Sequence, residues 1–287
     1  MPAPKKVLFL PDRTNMDPSG KESILRARLF IERNLHSELS GERIAEQAFR
    51  SYYRFHHQFK DATGESLWQY VKRLRLEKAS FLLKYTAIPV GELAFQAGFE
   101  STAAFSKAFT SWFGVSPVKF RNKSRTIEPA FRGYQWNDVR KVRLSDEKIY
   151  TFRSEGIRHF PEGYFKWKQL CGAAPNLQLI GKSPDHPGIT VAEKIRWDTS
   201  VPKNALTGPP QPPHHFQLFE ETLPGGSFLK VPFEGFGRPL TLHMPNLLGY
   251  LRDQGLEWRP SGRFFQTIRE HAEKSRCLTD LFIPIGK

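Results

Sequence analysis

One pattern occurs twice in this chain and restricts its fold more than any other feature. Residues 41–64 read GERIAEQAFRSYYRFHHQFKDATG, and residues 89–114 read PVGELAFQAGFESTAAFSKAFTSWFG. With Phe59 set against Phe109, Phe55 falls opposite Phe105. Within one residue, Ala45 falls opposite Ala94, Ala48 opposite Ala97 and Ser51 opposite Ser101. Each half reads as a short apolar helix, a turn and a serine able to cap the next helix. That second helix carries Phe at i and i+4. Two helix-turn-helix units on one rigid polypeptide present two recognition helices, an arrangement suited to double-stranded DNA.

Charge agrees with that reading. Residues 1–127 hold 21 Lys+Arg against 12 Asp+Glu (+9), and residues 128–287 hold 22 against 17 (+5). The helical half is the more basic per residue, as a phosphate-binding surface requires. Cys171 and Cys277 are the only cysteines, which is too few for a disulfide framework and points to a reducing compartment. No apolar run of membrane-spanning length occurs, so a cytoplasmic, nucleoid-associated protein is expected. The VLFLP patch near the N-terminus is short for a signal-peptide core.

The expected fold class is multidomain, α plus α+β. An all-helical double helix-turn-helix domain precedes a sensor domain in which a hairpin, a helix and a strand occur twice. Residues 1–20 form a mobile extension, 21–121 the DNA-binding domain, 122–136 a linker and 137–287 the sensor domain. Residues 21–36 carry a helical stripe at 24, 27, 31 and 35. Residues 64–84 read as one long helix with a stripe through Leu67, Tyr70, Val71, Leu74, Leu82 and Leu83. Beyond the linker the period changes. RLSDEKIYTFRSEG (143–156) and TLPGGSFLKVPFEG (222–235) each read as a β-hairpin, and an amphipathic helix comes after each, near 158–171 and 238–254.

These residues resemble a known family. Residues 22–121 are similar to an AraC/XylS-type DNA-binding domain, through Ile44-Ala45, Phe55, Phe59-Lys60, Thr63-Gly64, Arg73-Leu74 and the closing GFES…FSKAF…FGVSP…FR run. Residues 137–287 resemble a gyrase-inhibitor-like, small-molecule-binding domain, through 180–198, the LPGGSF segment and LTDLFIPI at 278–285. This order of domains resembles Rob-type regulators. Because both recognition helices come from one chain, binding of an asymmetric site as a monomer is expected. The resemblance implies a transcription regulator, an activator by expectation, that contacts RNA polymerase. It also implies a small amphipathic or cationic effector and no cofactor. Two departures stand out. Phe49 occupies the first turn where the family has Gly, a position at which a bulky residue is unfavourable, and whether the turn keeps its form or is rearranged is open at this point. Tyr53, His56 and His57 stand where Rob-like relatives present Trp, Gln and Arg.

In the first recognition helix, Tyr52, Tyr53, His56 and His57 lie off the Phe55/Phe59 face and can reach base edges or phosphates. In the second, Thr102, Ala103, Ser106 and Lys107 do so, and Lys107 is the one long donor. Arg43, Arg50, Arg54 and Lys60 are phosphate candidates, with Arg73 and Arg75 behind them. No residues show metal-ligand spacing. In the sensor domain, Asp280 and then Glu234 are the candidate carboxylates. Trp197, Trp167, Tyr150, Tyr164 and Phe233 are candidate pocket walls, an aromatic box suited to an organic cation. Two other readings of this domain are open: a hydrolase of small electrophiles with Asp280 as base, and a protein-docking module using the GPPQPPHHF loop (208–216). The nucleophile–His–acid spacing that would support catalysis is absent.

Overall fold

The computed structural model describes residues 18–125, 138–156, 162–171, 178–186, 188–206, 208, 210, 218–234, 244–259, 264–270 and 277–286. The chain divides into two compact units, 1–76 and 77–287. The division falls inside a helix, whereas the sequence places it at 122–136, because the C-terminal half of that helix packs with elements later in the chain.

The first unit contains α1 (Pro18–Arg33), α2 (Gly41–Gln47), α3 (Tyr52–Thr63) and the start of α4 (Leu67–Tyr85). Helix α1 begins at Pro18, so residues 18–20 belong to it and not to the extension expected over 1–20. The apolar stripe buries Ile24, Ala27 and Ile31 against Ile44, Ala45, Phe55, Phe59, Tyr70 and Leu74 in one core. Ser40 accepts the Arg43 amide at the start of α2, and Gly64 ends α3 in the left-handed conformation (φ 74°).

The second unit continues from α4 into α5 (Val90–Gln96), α6 (Thr102–Phe113) and α7 (Pro117–Arg125). Their core is a run of aromatic contacts, with Phe109 against Phe105, Phe113 and Phe120 at centroid distances of 4.5–5.5 Å. Helix α7 extends through Arg125, into the expected linker.

Among the described residues, eight strands then form one antiparallel sheet. Its strands are β1 (Arg140–Leu144), β2 (Glu147–Glu155), β3 (Leu179–Lys182), β4 (Arg196–Pro202), β5 (Leu218–Leu223), β6 (Gly226–Glu234), β7 (Phe265–Glu270) and β8 (Cys277–Pro284). Helix α8 (Glu162–Cys171) lies between β2 and β3 in sequence, and α9 (Met244–Asp253) between β6 and β7. The order across the sheet is β1-β6-β8-β7-β3-β4-β2-β5. Exchanging β1–β4 with β5–β8 returns the same order reversed.

The expected hairpins are not formed. β1 does not pair with β2. It pairs with β6, with Val142 opposite Phe228, while β2 pairs with β5, with Ile149 opposite Glu221. Each two-residue connection therefore passes its chain to a strand from the other half. The connections touch: the Gly225 amide donates to Asp146 Oδ1 at 2.8 Å. A Cβ on Gly225 would meet the Leu144 carbonyl at 2.4 Å, a backbone approach that only glycine permits.

One face of the sheet is covered. Tyr150, Phe152, Leu179, Val201 and Ile268 pack with Tyr164 and Trp167 of α8. Leu229, Val231, Leu281 and Ile283 pack with Met244, Leu247 and Leu251 of α9. The alternate residues, including Ile149, Ile180, Leu223, Phe228, Phe265 and Phe282, are buried in a separate apolar cluster on the opposite face, the one left open by α8 and α9.

Candidate functional site

Helices α3 and α6 show the same burial sequence over residues 51–60 and 101–110. Phe55 and Phe59 are fully buried in one, Phe105 and Phe109 in the other. Spacing of i and i+4 directs each pair inward and leaves the remaining faces to solvent. On α3, Tyr53, Arg54, His57 and Lys60 are exposed and His56 is half-buried. The Tyr53 ring meets His57 edge-on at 5.1 Å, and Tyr52 meets His56 at 6.2 Å. These contacts order the aromatic surface along the helix. Tyr52 also rests over Gly41 of α2, which ties the start of α3 to the helix before it. On α6, Thr102, Ala103 and Lys107 are exposed and Ser106 is half-buried. Small side chains surround Lys107, so α6 offers one long cationic donor on a low surface.

The caps differ between the two. Ser101 Oγ accepts the Ala104 amide at 3.1 Å, whereas Ser51 makes no side-chain cap bond, so only the second serine fulfils its expected role.

The turn before α3 answers the question that Phe49 raises. Phe49 sits at φ 53°, in the left-handed region occupied by Gly98 (φ 73°) in the second unit. The backbone bonds match as well. Phe49 N–H donates to Glu46 and Arg50 N–H to Ala45, while Gly98 N–H donates to Phe95 and Phe99 N–H to Ala94. The turn is not rearranged, and phenylalanine adopts the glycine conformation. The second turn is one residue longer between its cap and the next capping serine, which accounts for the one-residue slip between the repeats.

Among the phosphate candidates, Arg43 and Arg54 are exposed and Arg50 is half-buried. The Arg50 guanidinium donates to Ser19 Oγ at 3.0 Å, and Arg43 lies over the Phe30 ring. Arg73 and Arg75 hold structure instead. Arg73 is buried in a bidentate pair with Glu65 (2.9–3.2 Å), and Arg75 donates to the Leu35 and Ser37 carbonyls.

The open face of the sheet borders a cavity of about 640 Å³ floored by Ile180, Leu223, Phe265 and Phe282 and walled by the 144–148 and 202–204 segments. Phe265 and Phe282 stack in parallel at 4.6 Å. Thr267 lines this cavity, and its buried hydroxyl has no hydrogen-bond partner among the described residues. The expected aromatic walls are elsewhere. Tyr150, Tyr164 and Trp167 are in the core beneath α8, where Trp167 Nε1 donates to the Thr199 carbonyl. Trp197 alternates onto that same covered face, opposite Ser154. Asp280 does lie on the open face, opposite Thr267, but Lys230 Nζ pairs with it at 2.9 Å. It is not the uncompensated carboxylate expected for a cation site. The side chains of Phe233 and Glu234 lie outside the described ones.

Sequence reasoning missed the buried charges of this face. Arg153 pairs with Asp198 at 2.7 Å, and Lys182 pairs with Glu221. Thr151 adds a hydrogen bond to Glu221 at 2.6 Å. Their signal is a charge inside each β-rich segment, which reads equally as solvent-facing. Among the described residues, no group of His, Cys, Asp or Glu could hold a metal ion, and no helix is long and apolar enough to cross a membrane.

A helix-turn-helix domain family matches residues 44–123, the segment that carries α3 and α6. The transcriptional regulator Rob of Salmonella typhimurium is 27% identical over 242 residues, covering 77% of this chain and 81% of that protein. The right origin-binding protein of Escherichia coli K12 is 26% identical, with the same two coverages. The multiple antibiotic resistance protein MarA of Escherichia coli K12 is 34% identical over 119 residues, 42% of this chain and 91% of that protein. With two helix-turn-helix units of matching burial and backbone geometry already in place, these likenesses show that the chain belongs to the AraC/XylS-type family of DNA-binding transcription regulators.

Proposed function

We propose that this regulator reads an asymmetric DNA site as a monomer through α3 and α6 and activates transcription through RNA polymerase. A small amphipathic molecule held on the open sheet face modulates it. The observation that carries the DNA half is the repeated exposure pattern: one chain presents two recognition surfaces, so it needs no partner copy to read two segments of groove. The ligand half rests on a cavity with an apolar floor and one buried hydroxyl that is unpartnered among the described residues. A ligand with an apolar body and one hydrogen-bonding group satisfies both, since an unpaired buried hydroxyl costs about 1–3 kcal/mol.

The paired state of Asp198, Glu221 and Asp280 favours a binding site over a hydrolase, because a carboxylate held by Lys or Arg is a poor general base. It also removes Asp280 as the basis for a cation preference.

Binding-site selection with the full-length protein tests the first part. An asymmetric consensus bound at one protein per duplex supports it, and a palindromic consensus bound by a dimer overturns the monomer reading. Thermal-shift screening of amphipathic compounds against wild type and Thr267→Val tests the second. Stabilisation that the variant weakens supports the site, and equal stabilisation of both proteins removes Thr267 from it.

A further inference from the structure

The C-terminal end of α4 is packed into the sheet region. Phe81 and Tyr85 lie against the cluster that includes Leu229, Leu281, Ile283 and Ile285. Tyr85 Oη stands 2.8 Å from His186 Nε2, and the two rings stack at 5.7 Å with planes 26° apart. Phe81 meets His186 and Trp258 edge-on, both at 5.7 Å. His186 Nδ1 accepts the Gly188 amide at 2.9 Å. The proton of the neutral ring is therefore on Nε2 and is donated to Tyr85 Oη. Burial, and then the charge of Lys84, lower the His186 pKa to about 3 and keep the ring in that neutral form.

Both contact points on the sheet side are wired to the open face. His186 lies just past β3, whose last residue, Lys182, pairs with Glu221 on that face. The residue before it, Asp185, accepts both the amide and the guanidinium of Arg196 at the start of β4. Ser183 Oγ adds a bond to the Arg196 carbonyl at 2.8 Å. Two residues along β4, Asp198 holds Arg153. Trp258 bridges to Ile285, just beyond the strand that carries Asp280 and Phe282. On the other side, α4 leads through 86–89 into α5 and α6. Arg121 of α7 donates to the Ile88 carbonyl, which ties that connection to the second helix-turn-helix unit.

We infer that this junction, Phe81 and Tyr85 of α4 against His186 and Trp258, is the element through which the open sheet face and the DNA-binding helices bias one another. A packed aromatic cluster with one directional hydrogen bond has few alternative arrangements. A shift of β3, β4 or β8 on ligand binding must then move α4 or break the junction. The inference rests on reading α3 and α6 as the DNA surface and the open face as the ligand site. Coupling free energy is reciprocal, so DNA can serve as the probe while the ligand is unidentified.

The test is amide hydrogen exchange on the full-length protein with and without its selected duplex. In the wild type, DNA is expected to change protection at least threefold at amides of 183–190, 256–259 and 282–285. In Tyr85→Phe, which deletes one oxygen and keeps the ring, and in Tyr85→Phe/His186→Gln, the change is expected to vanish. Exchange along β2 and β4 in the DNA-free variants reports that the sheet is folded. If the double variant unfolds the sheet, the single variant decides. DNA-bound wild type with no change at those amides, or variants that keep the full change, overturns the inference and leaves the DNA reading intact. Failure of the full-length protein to bind any selected duplex overturns the DNA reading, and the inference falls with it.

Discussion

Phe49 carries a conformational cost that its neighbours do not remove. A left-handed φ places Cβ against the following carbonyl, at about 1–2 kcal/mol for a residue other than glycine. The ring is 76% exposed, and Arg26 lies over it at 4.8 Å. That contact returns about 0.5–1 kcal/mol at an exposed site. Phe49→Ala keeps the strain and loses the ring, so it should destabilise by about 0.5 kcal/mol. Phe49→Gly relieves the strain and should be more stable than Phe49→Ala by about 1 kcal/mol. Urea unfolding of the three proteins checks both values. A glycine variant no more stable than the alanine one would mean that the turn relaxes around the side chain. The position was legible in the sequence because a bulky residue stands where the repeat has Gly98. Its outcome was not, since a local penalty of this size cannot show whether the surrounding helices enforce the turn. They do: Ala45 and Ala48 are buried in the core on one side and Phe55 on the other.

Helices α3 and α6 were legible as elements because 3.6-residue periodicity, paired Phe and a serine at each N-cap position point the same way. Their exposed residues make separable predictions. His57→Ala and Lys107→Ala should each change the selected sequence at about one base pair, at about 1–3 kcal/mol if they read base edges. Arg54→Ala should weaken all duplexes alike and reduce the salt dependence by about one charge. Parallel selections and salt titrations distinguish the classes, and unchanged profiles for the first two variants would return them to plain surface. Arg73 and Arg75 show what periodicity cannot supply. They share a helix with Lys72 and Lys78, but Glu65 and two carbonyls far away in sequence take their charges inward. Helix α4 yields a pH prediction as well. The folded protein holds His186 near pKa 3, below its ordinary 6.5, so the native state excludes a proton that the unfolded chain accepts. The stability from this neutral histidine is complete above pH 6.5 and declines as pH falls toward 3. Urea midpoints at pH 7.5, 6 and 5 should therefore fall faster for wild type than for His186→Gln. Parallel curves would show that His186 takes up its proton in the folded state without penalty.

At the scale of the molecule, the sheet order carries information that local sequence lacks. Ser145-Asp146 and Pro224-Gly225 are sound turn signals, and each does join two strands. A turn signal reports that the chain changes direction and says nothing about which strand becomes the partner. For the same reason Trp167, Trp197 and Tyr150 read as wall or core equally well. Only the pairing, Tyr150 with Val201 and Trp197 with Ser154, assigns the two strand residues to the α8 face. The exchanged pairing also separates this sheet from one built of two self-contained hairpin halves. β1 finds its partner in β6, and β5 finds its partner in β2. Each half therefore lacks an edge partner on its own, and the central β3–β7 pairing joins the halves again. If the chain is cut between residues 212 and 213, neither 1–212 nor 213–287 should form a native sheet alone. Residues 1–212 would leave β1 unpaired and β2 with only β4, while 213–287 would leave β5 without any partner strand. Mixing or coexpressing the two fragments should restore a one-to-one complex with native near-ultraviolet circular dichroism and cooperative unfolding, because every lost ladder re-forms across the cut. Two fragments that each show a cooperative, native-like transition before mixing would mean that the hairpins can close on themselves, and that the exchange of strands is one of two pairings open to this sequence.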